Sequence, residues 1–311
     1  MALVGRRLQK SSAVTEHVCI GGNEVEGIGF IGAGRVASAL CTALQRNGVR
    51  VTAIASRSHS SAQKMALRSN CVIGSAQSVV DSCRLVFLTV PDDAIEPTAR
   101  SLRWNASNVA IHCSGATDLA VLNCSSDVGA STGSFHPLLI FSDPELASIA
   151  IAGSSVAIEG DALARRALVE LAQRLRMNVL TIDGGSRTLY HAGACYAASY
   201  MLTLLCEALT LWSKAGISES SAIAALSPLM KATLSSAERL GVAGAVSGPI
   251  ARGDIGILQR HLVEIDELGA DHGTMYRVIA KRQIGLALAG GRIDGSCGQR
   301  LAQALGGMES Q

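Results

Sequence analysis

GFIGAGRVASAL, residues 29–40, begins as an apolar run of strand length and ends in a helical pattern. Between the two stands Gly32-x-Gly34-x-x-Ala37. Each small residue has its own task in a strand-to-helix turn that holds a diphosphate. The first permits the tight turn, the second lets phosphates approach the backbone, and the third allows helix and strand to pack closely. Amides at the helix start, around Arg35 and Val36, would then face the diphosphate, with the helix dipole adding to the attraction. Alone the motif is weak evidence. Directly after a strand and before a helix, it predicts a dinucleotide site.

The surrounding chain supplies that setting. From Gly27 to Ile182, apolar runs at 27–31, 50–56, 84–90, 108–113, 154–159 and 177–182 have strand length. Helical patterns at 36–48, 61–69 and 161–175 lie between them. Such alternation predicts repeated βαβ units and a largely parallel, doubly wound sheet. The strands are apolar on both faces, as a sheet covered by helices on both sides requires. After the DGG at 183–185 the strand-length runs stop. Ala- and Leu-rich helical stretches follow at about 186–214, 218–240, 255–268, 273–289 and 296–305. The expected organisation is a disordered extension over 1–26, a nucleotide-binding domain over 27–183, and an all-helical C-terminal domain over 184–311.

Composition narrows the partners. A net charge of +2 gives no electrostatic case for nucleic acid, and 3% aromatics leave few surfaces on which bases could stack. The apolar runs read as too short for a membrane span, so a soluble chain is expected. Nine cysteines without CxxC spacing, an odd number, point to free and mostly buried thiols in a reducing cytoplasm.

The end of the second strand, Ala55-Ser56-Arg57-Ser58, selects between cofactors. An NAD site usually places Asp or Glu there to accept from the ribose hydroxyls. Here a guanidinium stands between two hydroxyls, which suits a 2′-phosphate, so NADP is expected over NAD. Val90-Pro91-Asp92 and Ser114-Gly115 close later strands, at the edge where open α/β sheets bind ligands. The first group is expected beside the nicotinamide ribose and the second near the ring.

Six segments in order, GFIGAGRVASAL, TVPDDAI (89–95), HCSGA (112–116), SFHPLLIF (134–141), YHAGACYAAS (190–199) and SGPIARGD (247–254), resemble the predicted short-subunit dehydrogenases. That family joins a Rossmann domain to a helical domain of unassigned function. It is similar to ketopantoate reductase and, more distantly, to the 3-hydroxyacid dehydrogenases. The resemblance spans Gly27 to about Leu288 and implies an NAD(P)-linked oxidoreductase with its site between the domains. Where those relatives carry Lys and then Asn one turn later, the matching face here offers His191, Cys195 and Ser199. No Lys occurs between Lys64 and Lys214.

Within RTLYHAGACYAASY (187–200), every fourth residue from Arg187 is polar or reactive: Arg187, His191, Cys195 and Ser199. That spacing aligns them on one helical face. His191 is the expected proton donor, since imidazole titrates near neutrality. Ser199 would orient substrate, Ser114 could hold a water, and Cys195 reads as packing. Arg252 is a candidate clamp for a substrate carboxylate, with Asp254 fixing its fork or capping the next helix. His136, before Pro137, belongs to the same substrate-binding set. Gly129-x-Ser131-x-Gly133 fits the spacing of a nucleophile elbow but lacks a following helix. His191 and Cys195 lack further ligands for zinc, so no metal is expected.

The function expected is NADP-dependent hydride transfer to or from a small, anionic carbonyl, hydroxy-acid or imine substrate, in a homodimer. The alternative is a non-catalytic NADP-binding redox sensor.

Overall fold

The computed structural model describes residues 27–182, 185–269 and 271–306. The expected N-terminal extension and the Gly184 boundary lie outside the described residues. Contacts divide the chain into a unit ending at Cys195 and another beginning at Tyr196.

The first unit is one eight-stranded sheet with helices on both faces. Its strands are β1 (Ile28–Ile31), β2 (Val51–Ala55), β3 (Val72–Ile73), β4 (Leu85–Leu88), β5 (Val109–His112), β6 (Ser131–Pro137), β7 (Ser155–Gly160) and β8 (Asn178–Thr181). They lie in the order β3-β2-β1-β4-β5-β6-β7-β8. All neighbours are parallel except β6 and β7, which are antiparallel. The doubly wound, largely parallel sheet expected from the sequence is therefore present. Its helices are α1 (Arg35–Arg46), α2 (His59–Ser69), α3 (Ala76–Ser82), α4 (Asp92–Arg100), α5 (Asn123–Ser126), α6 (Pro144–Ala150), α7 (Ala162–Arg174) and α8 (Arg187–Ala197). On one face, Leu40 and Leu44 of α1 and Leu168 of α7 join Phe30, Phe87 and Phe135 of the sheet in one apolar core. On the other, Val79 and Val80 of α3 and Ile95 of α4 cover Val86 and Leu88.

The chain departs from the sequence reading at β6, which enters the sheet centre as STGSFHP with Gly133, Ser134 and Phe135 buried. Ser and Gly are poor strand formers, so context rather than propensity holds it. Ser131 thus begins a strand, and no nucleophile elbow forms there. A fully buried Arg187 carries the first unit past Gly184, because it ties α8 to the sheet.

The second unit is helical: α9 (Ser199–Lys214), α10 (Glu219–Gly244), α11 (Ile255–Asp266), α12 (His272–Ala289) and α13 (Gly295–Ala304). Leu258 and Leu262 of α11, Ile284 of α12 and Leu301 of α13 form its core. The expected helix over 186–214 is instead two. Ala198, at φ −116° and ψ −75°, interrupts it.

Two further expectations are corrected. Arg187–Lys214 is long and apolar enough, by length and composition, to cross a membrane. That run spans both α8 and α9, with the interruption at Ala198 between them. Among the eight described cysteines, all free, only Cys41 and Cys83 are buried residues, and Cys206 is exposed. Cys206 lies on α9, which buries none of its residues, so an apolar neighbourhood in sequence did not bring cover.

Candidate functional site

The strand order reverses between β1 and β4, and the glycine-rich turn leaves the sheet at that point. There Gly32 adopts φ +110°, and a Cβ on it would run into the backbone of Thr89. Thr89 holds the turn by donating its hydroxyl to the Gly32 carbonyl at 2.9 Å. At Gly34 the nearest atom to a built Cβ is 3.9 Å away, so this position borders open space. No side chain caps α1, whose N-cap is Gly34. Its first-turn amides, including those of Arg35 and Val36, have no side-chain acceptor of their own and suit an anion. Ala37 is fully buried, consistent with close packing of α1 on the sheet.

A cleft of about 1040 Å³ runs from this turn along the carboxyl edge. Gly32, Gly34, Ser56, Arg57, Ser58, Val90 and Pro91 all line it. Arg57 is exposed. The Ser58 hydroxyl caps α2 by accepting from the Ser61 amide at 3.3 Å. Pro91 is the N-cap of α4 and Asp92 its first residue. The cradle therefore fits a dinucleotide: a bare helix N-terminus, close backbone approach at Gly34, and a cation with hydroxyls at the end of β2.

Beyond Pro91 the polar side chains interlock. The Ser114 hydroxyl donates to Asp92 Oδ2 at 2.8 Å and accepts from the Thr117 amide at 3.0 Å. Next to it, Gly115 separates two histidines. A Cβ there would lie 2.6 Å from His191 Cδ2 and 2.8 Å from His136 Nε2, so a side chain would displace both rings. His136 Nδ1 lies 2.8 Å from the Tyr190 hydroxyl. The His136 and His191 rings are 6.1 Å apart. On the other side of His191, Cys195 Sγ is 3.9 Å from Nδ1, a weak contact.

Arg187 holds this cluster from beneath. It is fully buried, and its Nη1 donates to Glu159 Oε2 at 2.8 Å and to Ser134 Oγ at 2.7 Å. Its Nη2 donates to the Ser114 carbonyl at 2.6 Å. One guanidinium thus joins β6, β7, the turn after β5 and the first residue of α8. Burial, with His191 and Arg187 adding their charge, pushes His136 down to about 4. Burial likewise pushes Tyr190 up to about 12, against the opposing influence of Arg187. Near neutral pH the imidazole is unprotonated and the phenol protonated.

The structure thus brings Asp92, Ser114, Gly115, His136 and His191 together. Arg187, read from sequence as one of a polar stripe, is instead a structural anchor, and Tyr190 went unread. Its signal was its place beside His191; its partner His136 is 54 residues away. Ser199, Arg252 and Asp254 belong to the second unit. There Ser199 opens α9, and Arg252 is exposed in the 3-10 turn Ile250–Arg252. Asp254 caps α11 by accepting from the Ile257 amide at 3.1 Å. Among the described residues Arg252 and Asp254 share no side-chain bond, so capping is the observed role of Asp254.

Two family models match the chain: a Rossmann-like domain over residues 23–137 and a domain of unknown function, DUF2520, over residues 154–283. No curated protein sequence matches significantly. Solved structures do. One is a Bacteroides fragilis protein provisionally described as an NADP oxidoreductase, 21% identical, with TM-score 0.69 over 84% of this chain and 98% of that one. Another is 1-pyrroline-5-carboxylate reductase from Streptococcus pyogenes, 20% identical, with TM-score 0.61 over 85% and 98%. A third is a reductive aminase from Aspergillus terreus in complex with NADPH and ethyl levulinate, 15% identical, with TM-score 0.65 over 88% and 98%. At these identities the likeness establishes a shared fold.

Proposed function

We propose that the chain is an NADP-dependent oxidoreductase acting on a small carbonyl or imine substrate. The observation that carries this reading is the acid-free end of β2, where Ser56, Arg57 and Ser58 line a cleft that begins at an uncapped helix N-terminus. When bound, the nicotinamide would supply a hydride to a C=O or C=N carbon. The first-turn amides of α1 would hold the diphosphate, and Arg57 the 2′-phosphate. Asp92 fixes the Ser114 hydroxyl, and the turn carrying Gly115 leaves a gap faced by His136 and His191. Proton transfer to the reduced heteroatom belongs to that gap. Two of the three structures described above, the pyrroline-carboxylate reductase and the reductive aminase, carry names that concern C=N chemistry, which favours an imine over a 2-keto acid.

Arg252, an exposed cation in the second unit, is proposed to hold an anionic group of the substrate. The second unit is proposed to pair with a second copy through its exposed apolar helices, and a reducing cytoplasm suits the free thiols.

Dissociation constants for NADPH and NADH in wild type and Arg57→Ala test the reading. Loss of a charge-assisted phosphate contact should weaken NADPH by about 1.5–3 kcal/mol and leave NADH nearly unchanged. Wild-type preference for NADH, or equal weakening of both, would reject it. A panel of cyclic imines, keto acids and aldehydes then separates enzyme from sensor, since binding without turnover on all of them favours the sensor.

A further inference from the structure

We propose that Tyr190 and His136 form a proton-delivery couple, in which the Tyr190 hydroxyl donates to His136 Nδ1 and the ring presents Nε2–H to the reacting heteroatom beside Gly115. The proposal rests on the oxidoreductase reading and assigns the proton source within that site.

Three observations carry it. The Tyr190 oxygen and His136 Nδ1 are 2.8 Å apart, and the two rings meet edge to face at 87°. His136 Nε2 and Cε1 border the space that a side chain on residue 115 would fill. Only glycine there leaves a ligand atom access to that edge of the ring. The third observation permits the proposed bond direction, phenol donating and Nδ1 accepting. Burial keeps the imidazole neutral and the phenol protonated near pH 7. A neutral imidazole carries one N–H. With Nδ1 accepting from the phenol, that hydrogen must sit on Nε2.

The step balances. When bound, a reduced nicotinamide would supply a C–H electron pair as hydride to the C=O or C=N carbon, with the π pair moving onto the heteroatom. The heteroatom takes the Nε2 proton while Nδ1 takes the phenol proton, so the imidazole stays neutral throughout. Tyrosinate is left transiently; burial disfavours it, the Arg187 charge offsets part of that cost, and it regains a proton from solvent. His191 borders the gap from the other side.

Nitrogen-15 NMR of the histidine rings in the full-length protein reads the tautomer directly. Wild type should show His136 with a bare Nδ1 and a protonated Nε2, and Tyr190→Phe should remove that bias. With a turned-over carbonyl or imine, Tyr190→Phe should lower single-turnover rate by about 10²–10³-fold, with NADPH affinity within about twofold of wild type. His136→Asn, which can donate a hydrogen bond but cannot relay a proton, should lose a similar factor. An Nδ1–H tautomer in wild type, or a Tyr190→Phe rate within a few-fold of wild type, overturns the couple and leaves the oxidoreductase reading standing. If wild type reduces nothing in the panel yet shows the Nε2–H tautomer, the oxidoreductase reading fails and the delivery role falls with it.

Discussion

Helices α1 and α9 show how differently the two units treat apolar surface. Over 12 residues α1 buries Ala37, Ala39, Leu40, Cys41, Ala43 and Leu44. Over 16 residues α9, although richer in large apolar side chains, buries none. Tyr200, Met201, Leu202 and Leu204 of α9 are between 40% and 53% exposed. The first unit closes its core within itself and adds a buried ion pair. In the second, buried apolar residues gather in α11, α12 and α13, leaving α9 and much of α10 bare. Composition alone does not distinguish these two situations; the apolar stripe has to meet something.

If the first unit depends on its buried polar anchor as much as on its core, Arg187→Met should be the most damaging single change. It leaves Glu159 buried without its cation, at a cost of about 3–5 kcal/mol. Urea unfolding measures this, and adding Glu159→Leu should recover most of the loss. A drop below about 1 kcal/mol would mean that apolar packing alone holds the unit.

Acid should also expose the first unit's polar interior. His112 is fully buried with both ring nitrogens unpaired among the described residues, and burial with the Arg187 and His136 charges pushes it down to about 3. A histidine whose folded value lies below its unfolded value gives full stability above about pH 6.5. That stability is lost as pH falls toward 3, by a few kcal/mol. His136 acts in the same direction. His112→Leu should flatten the acid limb of stability against pH; an unchanged limb would assign it to other groups.

For the second unit the break point is association. Leu202→Glu should turn a dimeric mass into a monomeric one by light scattering at micromolar concentration, equivalent to about 2 kcal/mol of association. A wild-type monomer would instead mean that α9 stays bare in solution. The smallest effect is expected from Asp254→Ala, which removes one helix cap for about 1 kcal/mol, read by thermal unfolding.

How much of this could be read beforehand varied with the kind of signal. Strands β1, β2, β4, β5, β7 and β8 follow apolar runs, and the turn at Gly32 follows its motif. Those signals are local, and so was the Ser56-Arg57-Ser58 end of β2. Strand β6 was hidden because STGSFHP has neither alternation nor an apolar run; it is a strand because β5 and β7 flank it. Helix α4, with Pro97 inside it, concealed itself similarly. Tyr190 and Arg187 were unreadable in their roles because each acts through partners brought near only by the sheet. One sign was available. Glu159 ends the apolar run SSVAIE, and a carboxylate in a strand covered on both sides needs a buried cation.

The Arg187 anchor also bears on the order in which the molecule assembles. Its bonds reach Glu159, Ser134 and Ser114 across 28, 53 and 73 residues of chain. Each contact closes a loop, and the longer closures carry the larger entropy penalty before any reward is gained. The guanidinium can leave water only when β6, β7 and the turn after β5 already stand in place to receive it. Docking of α8 is therefore expected late in folding, and it sets Tyr190 against His136 in the same motion. A newly made chain would hold a formed sheet and glycine-rich turn before Tyr190 met His136.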